Sequence, residues 1–333
     1  MKIPTFSLIF WPLLILSFCA IGCAITSMPG RSYKGALAPL SDRQLELRAQ
    51  LAAHVAMLAT EIGDRNIPRI RGLNAAADYI AGHFKDSGLA VREQAFTVGG
   101  TEVKNIEARL KGSSDSGKYL VVGAHYDSVA GCPGANDNAS GVAALLEISR
   151  VLAKHRPEHE IRFVAFVNEE PPYFQTENMG SLVYARAAKK RGDNIIGMIS
   201  LETIGFYTDA EKSQHYPPPF NLFYPSTGNF IGFVGNTASR KFVRRSIRLF
   251  RRAAEFPSEG VAAPGWITGI GWSDQWAFWQ VGYPAFMVTD TAPFRYAHYH
   301  MPGDTPDKLD YERTAHVVSG MIEVVAGLAG TSK

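Results

Sequence analysis

Three cysteines in 333 residues are too few for a disulfide framework, so the fold must be held by a core rather than by crosslinks. Charge of one sign is also scarce. A formal net charge of +3 gives no basis for a nucleic-acid partner. Internal repeats and low-complexity tracts are absent, which excludes solenoids and other repeat arrays. What the chain has in quantity is apolar residues, 46% of the total, ample for one large domain.

Long apolar runs are confined to the N-terminus. Met1-Lys2 is a short basic start, and Phe6 to Ile21 is almost wholly apolar. This pattern reads as an export signal. The sequence Ala20-Ile21-Gly22-Cys23 resembles the lipobox of bacterial lipoproteins, with Cys23 as the lipidated first residue. Three readings stand: a lipoprotein signal, a plain cleaved signal, and an uncleaved membrane anchor. All three make the chain exported, as a cell-envelope lipoprotein or a periplasmic or secreted protein, and two attach it to a membrane through residues 1–23. Residues 24–40, small and aperiodic, read as a linker. Residues 41–330 read as the catalytic domain.

Within that domain the periodicity predicts a helix capped by Ser41-Asp42 and a second over Leu73–Phe84. A hairpin follows, Val91–Val98 and Val103–Leu110, turning at Gly99-Gly100. From residue 119 buried strands alternate with helices: strands at Tyr119–Ala124, Ile161–Val167, Ile195–Leu201, Phe230–Val234 and Tyr283–Val288, and helices at Val142–Leu152, Gly180–Lys190, Ser239–Glu255, Ser273–Gln280 and Thr305–Leu328. Tyr216–Gly228 reads as a long surface loop. Such alternation specifies an α/β fold, a mostly parallel mixed sheet sandwiched by helices.

The strands end in chemistry. Tyr119–Ala124 delivers His125 and Asp127, and the Gly/Asn-rich loop after it carries Asp137. The strand at Ile161–Val167 ends in Asn168-Glu169-Glu170, and that at Ile195–Leu201 in Glu202. After Asp290 a loop carries His298 and His300. Parallel sheets gather such ends on one edge. Histidines and carboxylates without cysteine suit zinc or a similar divalent ion, and there are enough of them for two. Singly, each motif reads equally well as a surface pair or a helix cap. Their joint placement after buried strands is what points to a site.

The ordered motifs HYDS, GANDNASG, NEE, SLETIG and YHMPGDTPDKLDY closely resemble the co-catalytic zinc aminopeptidases, over roughly residues 50–328. That metallopeptidase family also contains glutamate carboxypeptidase-type enzymes and glutaminyl cyclases. The resemblance implies the zinc-exopeptidase architecture and two Zn²⁺ ions. His125 and Glu202 would hold one ion, Glu170 and His300 the other, and Asp137 would bridge them. Asp127 would orient His125, and Glu169 would be the general base in hydrolysis of the N-terminal peptide bond of a peptide substrate. Many members carry Asp where this chain has Glu202. The alternatives are glutaminyl cyclase-type acyl transfer, glutamate carboxypeptidase-type hydrolysis and, from another class, a metal-free binding module that has lost its ligands. None of the ligands is missing here.

Other features read as structural. Cys132, beside the bridging loop, is expected as a free thiol. The seven basic residues of Arg240–Arg252 alternate with apolar ones as in an amphipathic surface helix. Of Trp266, Trp272, Trp276 and Trp279, most are expected in the core and one at a substrate pocket.

Overall fold

Eight strands form one sheet in the order β1-β2-β4-β3-β5-β8-β6-β7. The structure, a computed structural model, describes residues 22–331. The signal or anchor segment therefore lies almost entirely outside the described residues. Among the described residues no helix is long and apolar enough to cross a membrane.

β1 (Ala90–Val98) and β2 (Thr101–Leu110) pair as the expected hairpin, with Gly99 and Gly100 both at positive φ in the turn. The centre is parallel: β3 (Lys118–His125) lies between β4 (Glu160–Phe166) and β5 (Asn194–Glu202), and β8 (Ala285–Thr289) runs parallel to β5. β6 (Ile231–Asn236) is antiparallel to β8 and carries β7 (Ser258–Ala263) parallel to itself at the edge. β7 is absent from the sequence reading. Its residues, SEGVAA, hold one β-branched side chain, so local propensity gave no strand signal.

On one face pack α1 (Asp42–Ala56), α2 (Ile70–Asp86), α3 (Gly141–Leu152), α5 (Arg240–Ala253) and α7 (Tyr311–Ala329), over the larger apolar core. α4 (Gly180–Arg191) and α6 (Gln275–Gln280) cover the other, over a second core. The basic helix α5 buries Phe242, Val243, Ile247 and Phe250 and keeps most of its charges outward, Arg251 excepted, which packs against β7. Each such buried side chain is worth about 1.5–3 kcal/mol, which outweighs the crowding of like charge on the solvent side.

Four expectations are corrected. The last helix starts at Tyr311, not Thr305; a 3₁₀ turn over Pro306–Lys308 precedes it, and the Asp310 side chain caps it by accepting from Arg313 N. None of the four tryptophans is fully buried: Trp266 is 85% and Trp272 42% exposed, and Trp276 and Trp279 are partly buried. Residues 216–228 are not simply a surface loop: Phe220 is buried, and with Tyr216 and Tyr224 it walls a cleft. Part of the 24–40 stretch is also packed. Arg240 donates to Ala24 O, Arg251 to Pro29 O and Gly30 O, and Met28 lies against Gly260.

β3 leads through α3 to β4 on one side, and β4 leads through α4 to β5 on the other. The connections thus change direction on either side of β3, which opens a crevice beyond the strands' carboxyl ends. His125 ends β3 and Glu202 ends β5, so the two flank that crevice.

Candidate metal centre

His125, Asp127, Asp137, Glu169, Glu170 and Glu202 are all buried, and His300 is partly exposed at the rim. Three groups of donor atoms each lie within 4.8 Å: His125, Asp137 and Glu202; Asp137, Glu170 and His300; and His125, Glu169 and Glu170. Asp137 belongs to the first two. Its Oδ1 is 3.2 Å from His125 Nε2 and its Oδ2 is 3.1 Å from His300 Nε2. Glu202 Oε2 is 3.2 Å from His125 Nε2, and Glu170 Oε2 is 3.2 Å from His300 Nε2. Glu169 Oε2 stands further off, 3.9 Å from His125 Nε2.

The loops that deliver these groups are pinned from several directions. Asp304 accepts from the N–H groups of Asn136 and Asp137. Asn136 donates to Asp290 and accepts from Gly205 N. Asn138 donates to Leu201 O at the end of β5 and accepts from Gly141 N and Thr203 N. A side chain at Gly141 would collide with Asn138 and the Leu201 carbonyl, so only glycine lets α3 start this close to β5. Asn168, Thr203 and His300 take positive φ without being glycine, local strain of the kind that collects at sites.

Electrostatics is unbalanced in the bare protein. Burial pushes the Glu170 carboxyl up to about 8, with Asp137 adding to it. Burial also raises Glu169 far above the carboxylate range, and raises Glu202. Asp137 goes the other way: burial opposes its charge, but the adjacent His125 and His300 rings hold it below its usual value. Burial opposes the His300 cation too, yet Asp137 and Glu170 lift it to about 10.

A divalent cation resolves this imbalance. His125 Nε2, Asp137 Oδ1, Glu170 Oε1 and His300 Nε2 are buried with no hydrogen-bond partner, although they converge on the same small volume. Buried polar atoms are rarely left so. Two imidazoles with carboxylates fit zinc.

A model of peptidase family M28 matches residues 105–325. The chain belongs to that family. Among relatives, it is 39% identical to the uncharacterized protein YfbL of Escherichia coli (strain K12), over 83% of this chain and 87% of that one. It is 28% identical to a probable zinc metalloprotease of Pyrenophora tritici-repentis, over 74% of this chain but only 58% of that protein's length. Two solved structures share the fold of this M28 chain. The zinc aminopeptidase BSAP from Bacillus subtilis superposes with a TM-score of 0.68 at 16% identity, over 85% of this chain and 95% of that one. Fimbriiglobus ruber glutaminyl cyclase does so with 0.62 at 20% identity, over 88% and 97%.

Some expected residues sit elsewhere in this M28 fold. His298 is in none of the donor groups and packs edge-on against Tyr296. Asp290 braces the bridging loop through Asn136 and Phe206 N without entering the donor groups. Cys132 is buried and free, its thiol pushed up to about 11 by burial, which keeps it unreactive. Trp272 lines the cleft and stacks on Phe294.

Sequence reasoning missed Ser273, which donates to Glu202 Oε2 at 2.7 Å. It missed Asp304, although that residue stands inside the quoted YHMPGDTPDKLDY motif. It also missed Arg65, fully buried, whose guanidinium donates to the carbonyls of Tyr126, Leu58, Gly63, Pro133 and Gly134. One arginine thereby ties the segment after β3 to the loop before Asp137.

Proposed function

We propose that this M28 peptidase is a dizinc aminopeptidase that hydrolyses the N-terminal peptide bond of peptides. The observation that carries the reading is the position of Asp137. It is shared between one group completed by His125 and Glu202 and another completed by Glu170 and His300, as a pair of ions bridged by one carboxylate requires.

The lining of the cleft beside the site favours an amino end over a carboxyl end. The cleft runs from Glu202 along the sheet. Neither lysine nor arginine is among the described residues that line it, so nothing there would pair with a C-terminal carboxylate. By contrast Asp127, Asp137, Glu169, Glu170 and Glu202 outnumber the charge of two dications. The residual negative field attracts a free α-ammonium. This disfavours the glutamate carboxypeptidase-type alternative.

His125, Asp137, Glu170, Glu202 and His300 would hold the ions. Zinc, when bound, lowers the pKa of water from 15.7 towards about 7 and polarises the scissile carbonyl. Glu169 lies beside the donor groups without being needed in either of those that Asp137 completes. Its carboxylate takes the proton of the attacking water and returns it to the leaving amine. Asp127 faces His125 Nδ1 at 3.5 Å and orients the ring. Ser273 donates to Glu202 Oε2, the oxygen that faces His125, and keeps that longer side chain aimed inward.

The test is metal content per chain together with release from aminoacyl anilides. Two zinc ions and chelator-sensitive release are expected. One zinc without peptidase activity would favour the glutaminyl cyclase-type reading, and a chain that takes up no metal would leave the binding module.

A further inference from the structure

Four adjacent strands floor the cleft. Cross-strand pairing sets Glu202 beside Thr289, Thr289 beside Gly232, and Gly232 beside Glu259. Residues paired laterally project from the same face of a sheet. Glu202 and Glu259 therefore stand on one face, three strand spacings or roughly 14 Å apart. Gly232 between them has no side chain and leaves the lane open. The next row, Met287, Val234 and Val261, is apolar. The alternate residue on β7, Gly260, faces α5 instead, where its missing side chain makes room for Ile247 and Met28.

The walls are apolar as well. Tyr216 and Tyr224 line the cleft, but their hydroxyls are engaged with Pro225 O and Gly260 O, each at 2.7 Å. Among the described residues of the lining, Glu202 and Glu259 are thus the only carboxylates, one at the metal donors and one at the far end. The charged neighbours of Glu259 do not use it up. Arg251 Nη2 is 3.9 Å from its Oε2, and that guanidinium donates to Ser258 Oγ at 3.1 Å and Ser258 O at 2.5 Å, as well as to Pro29 and Gly30. Lys34 acts at longer range, and the Ser32 hydroxyl supplies one hydrogen bond. A carboxylate has about four lone-pair sites, so accepting capacity remains.

We propose that Glu259 selects the substrate, favouring peptides whose first residue is lysine or arginine. This rests on the aminopeptidase reading. A long aliphatic stem lies along Gly232, Met287 and Val261 while its cationic head reaches the carboxylate at the end of the lane. A leucine or methionine side chain fills the near part only. It leaves a half-buried acid covered and without a new partner, which costs affinity.

The experiment compares kcat/KM on lysyl, arginyl, leucyl and methionyl anilides for the zinc-loaded wild type and for Glu259→Gln, with Glu259→Asp as a second variant that keeps the charge but shortens its reach. Wild type should prefer lysyl and arginyl over leucyl anilide by at least ~10-fold, and Glu259→Gln should lower that ratio at least ~10-fold, chiefly through KM. Glu259→Asp should fall between. A ratio unchanged by both variants, or a wild type that prefers leucyl anilide, overturns the proposal. Should the wild type release none of the four, the aminopeptidase reading fails instead, and calorimetric titration with arginine amide and leucine amide decides about Glu259. Tighter arginine amide binding that Glu259→Gln abolishes upholds the acid as the selector; equal binding refutes it.

Discussion

Asp127 holds three parts of the site at once. Its Oδ1 faces His125 Nδ1 at 3.5 Å and accepts from Glu169 N at 3.1 Å, while Oδ2 accepts from Glu170 N at 3.1 Å. One carboxylate thus faces the ring that ends β3 and pins the backbone of the paired glutamates that follow β4. In Asp127→Asn one oxygen becomes an NH₂ group that confronts a backbone N–H. Zinc affinity should fall roughly 10- to 100-fold, with activity following it. Competition titration against a chelator measures this, and an unchanged affinity would remove Asp127 from the orienting role.

Glu169 separates binding from chemistry. Glu169→Gln should keep the wild-type zinc content and lose at least ~10²-fold in kcat. Turnover close to wild type in a fully loaded variant would refute the general-base role.

Asp137 touches both histidines, so its loss should affect both of the proposed ions. Asp137→Ala is expected to bind fewer zinc ions per chain than wild type, by elemental analysis after gel filtration. Full stoichiometry would argue that the ions are not bridged there.

Away from the site, Glu147 on α3 supplies a pH signature. Its carboxylate accepts from Nε and Nη2 of Arg150 and lies 3.4 Å from His54 Nε2. Burial opposes its charge, but His54 and Arg150 bring it below the usual glutamate value. A depressed folded pKa gives stability that is present above the unfolded value, near 4.3, and is lost as pH falls through the folded one. Glu147→Gln should therefore be about 1–3 kcal/mol less stable than wild type at pH 7, with the gap closing below about pH 4. Urea unfolding at both pH values tests it; a gap that persists at pH 3 would contradict the assignment.

Arg65 gives a stability prediction. Burial pulls its guanidinium down to about 10, still well above neutral pH. Arg65→Met would strand five carbonyls that now accept from it. A loss of about 3 kcal/mol or more is expected, together with loosening of the Asp137 loop. Hydrogen exchange over residues 128–140 would show that loosening, and native-like protection there would count against it.

The chain itself determined the strands that carry the chemistry. Tyr119–Ala124, Ile161–Val167 and Ile195–Leu201 are short, mostly apolar runs, and their length and flanking turn residues mark them as buried parallel strands rather than helices. Because His125, Glu169, Glu170 and Glu202 directly follow these runs, their gathering on one edge was legible too. Partners that act across long sequence separations were not. Arg65 meets Gly134, and Asp304 meets Asp137, only because the sheet brings remote loops together. β7 was invisible for the same reason: a strand of small and polar residues exists because β6 offers it an edge, not because SEGVAA prefers to be extended. The row from Glu202 to Glu259 depends on that register. Cross-strand alignment is a property of the folded sheet, so what stands at the far end of the cleft was decided by tertiary structure alone.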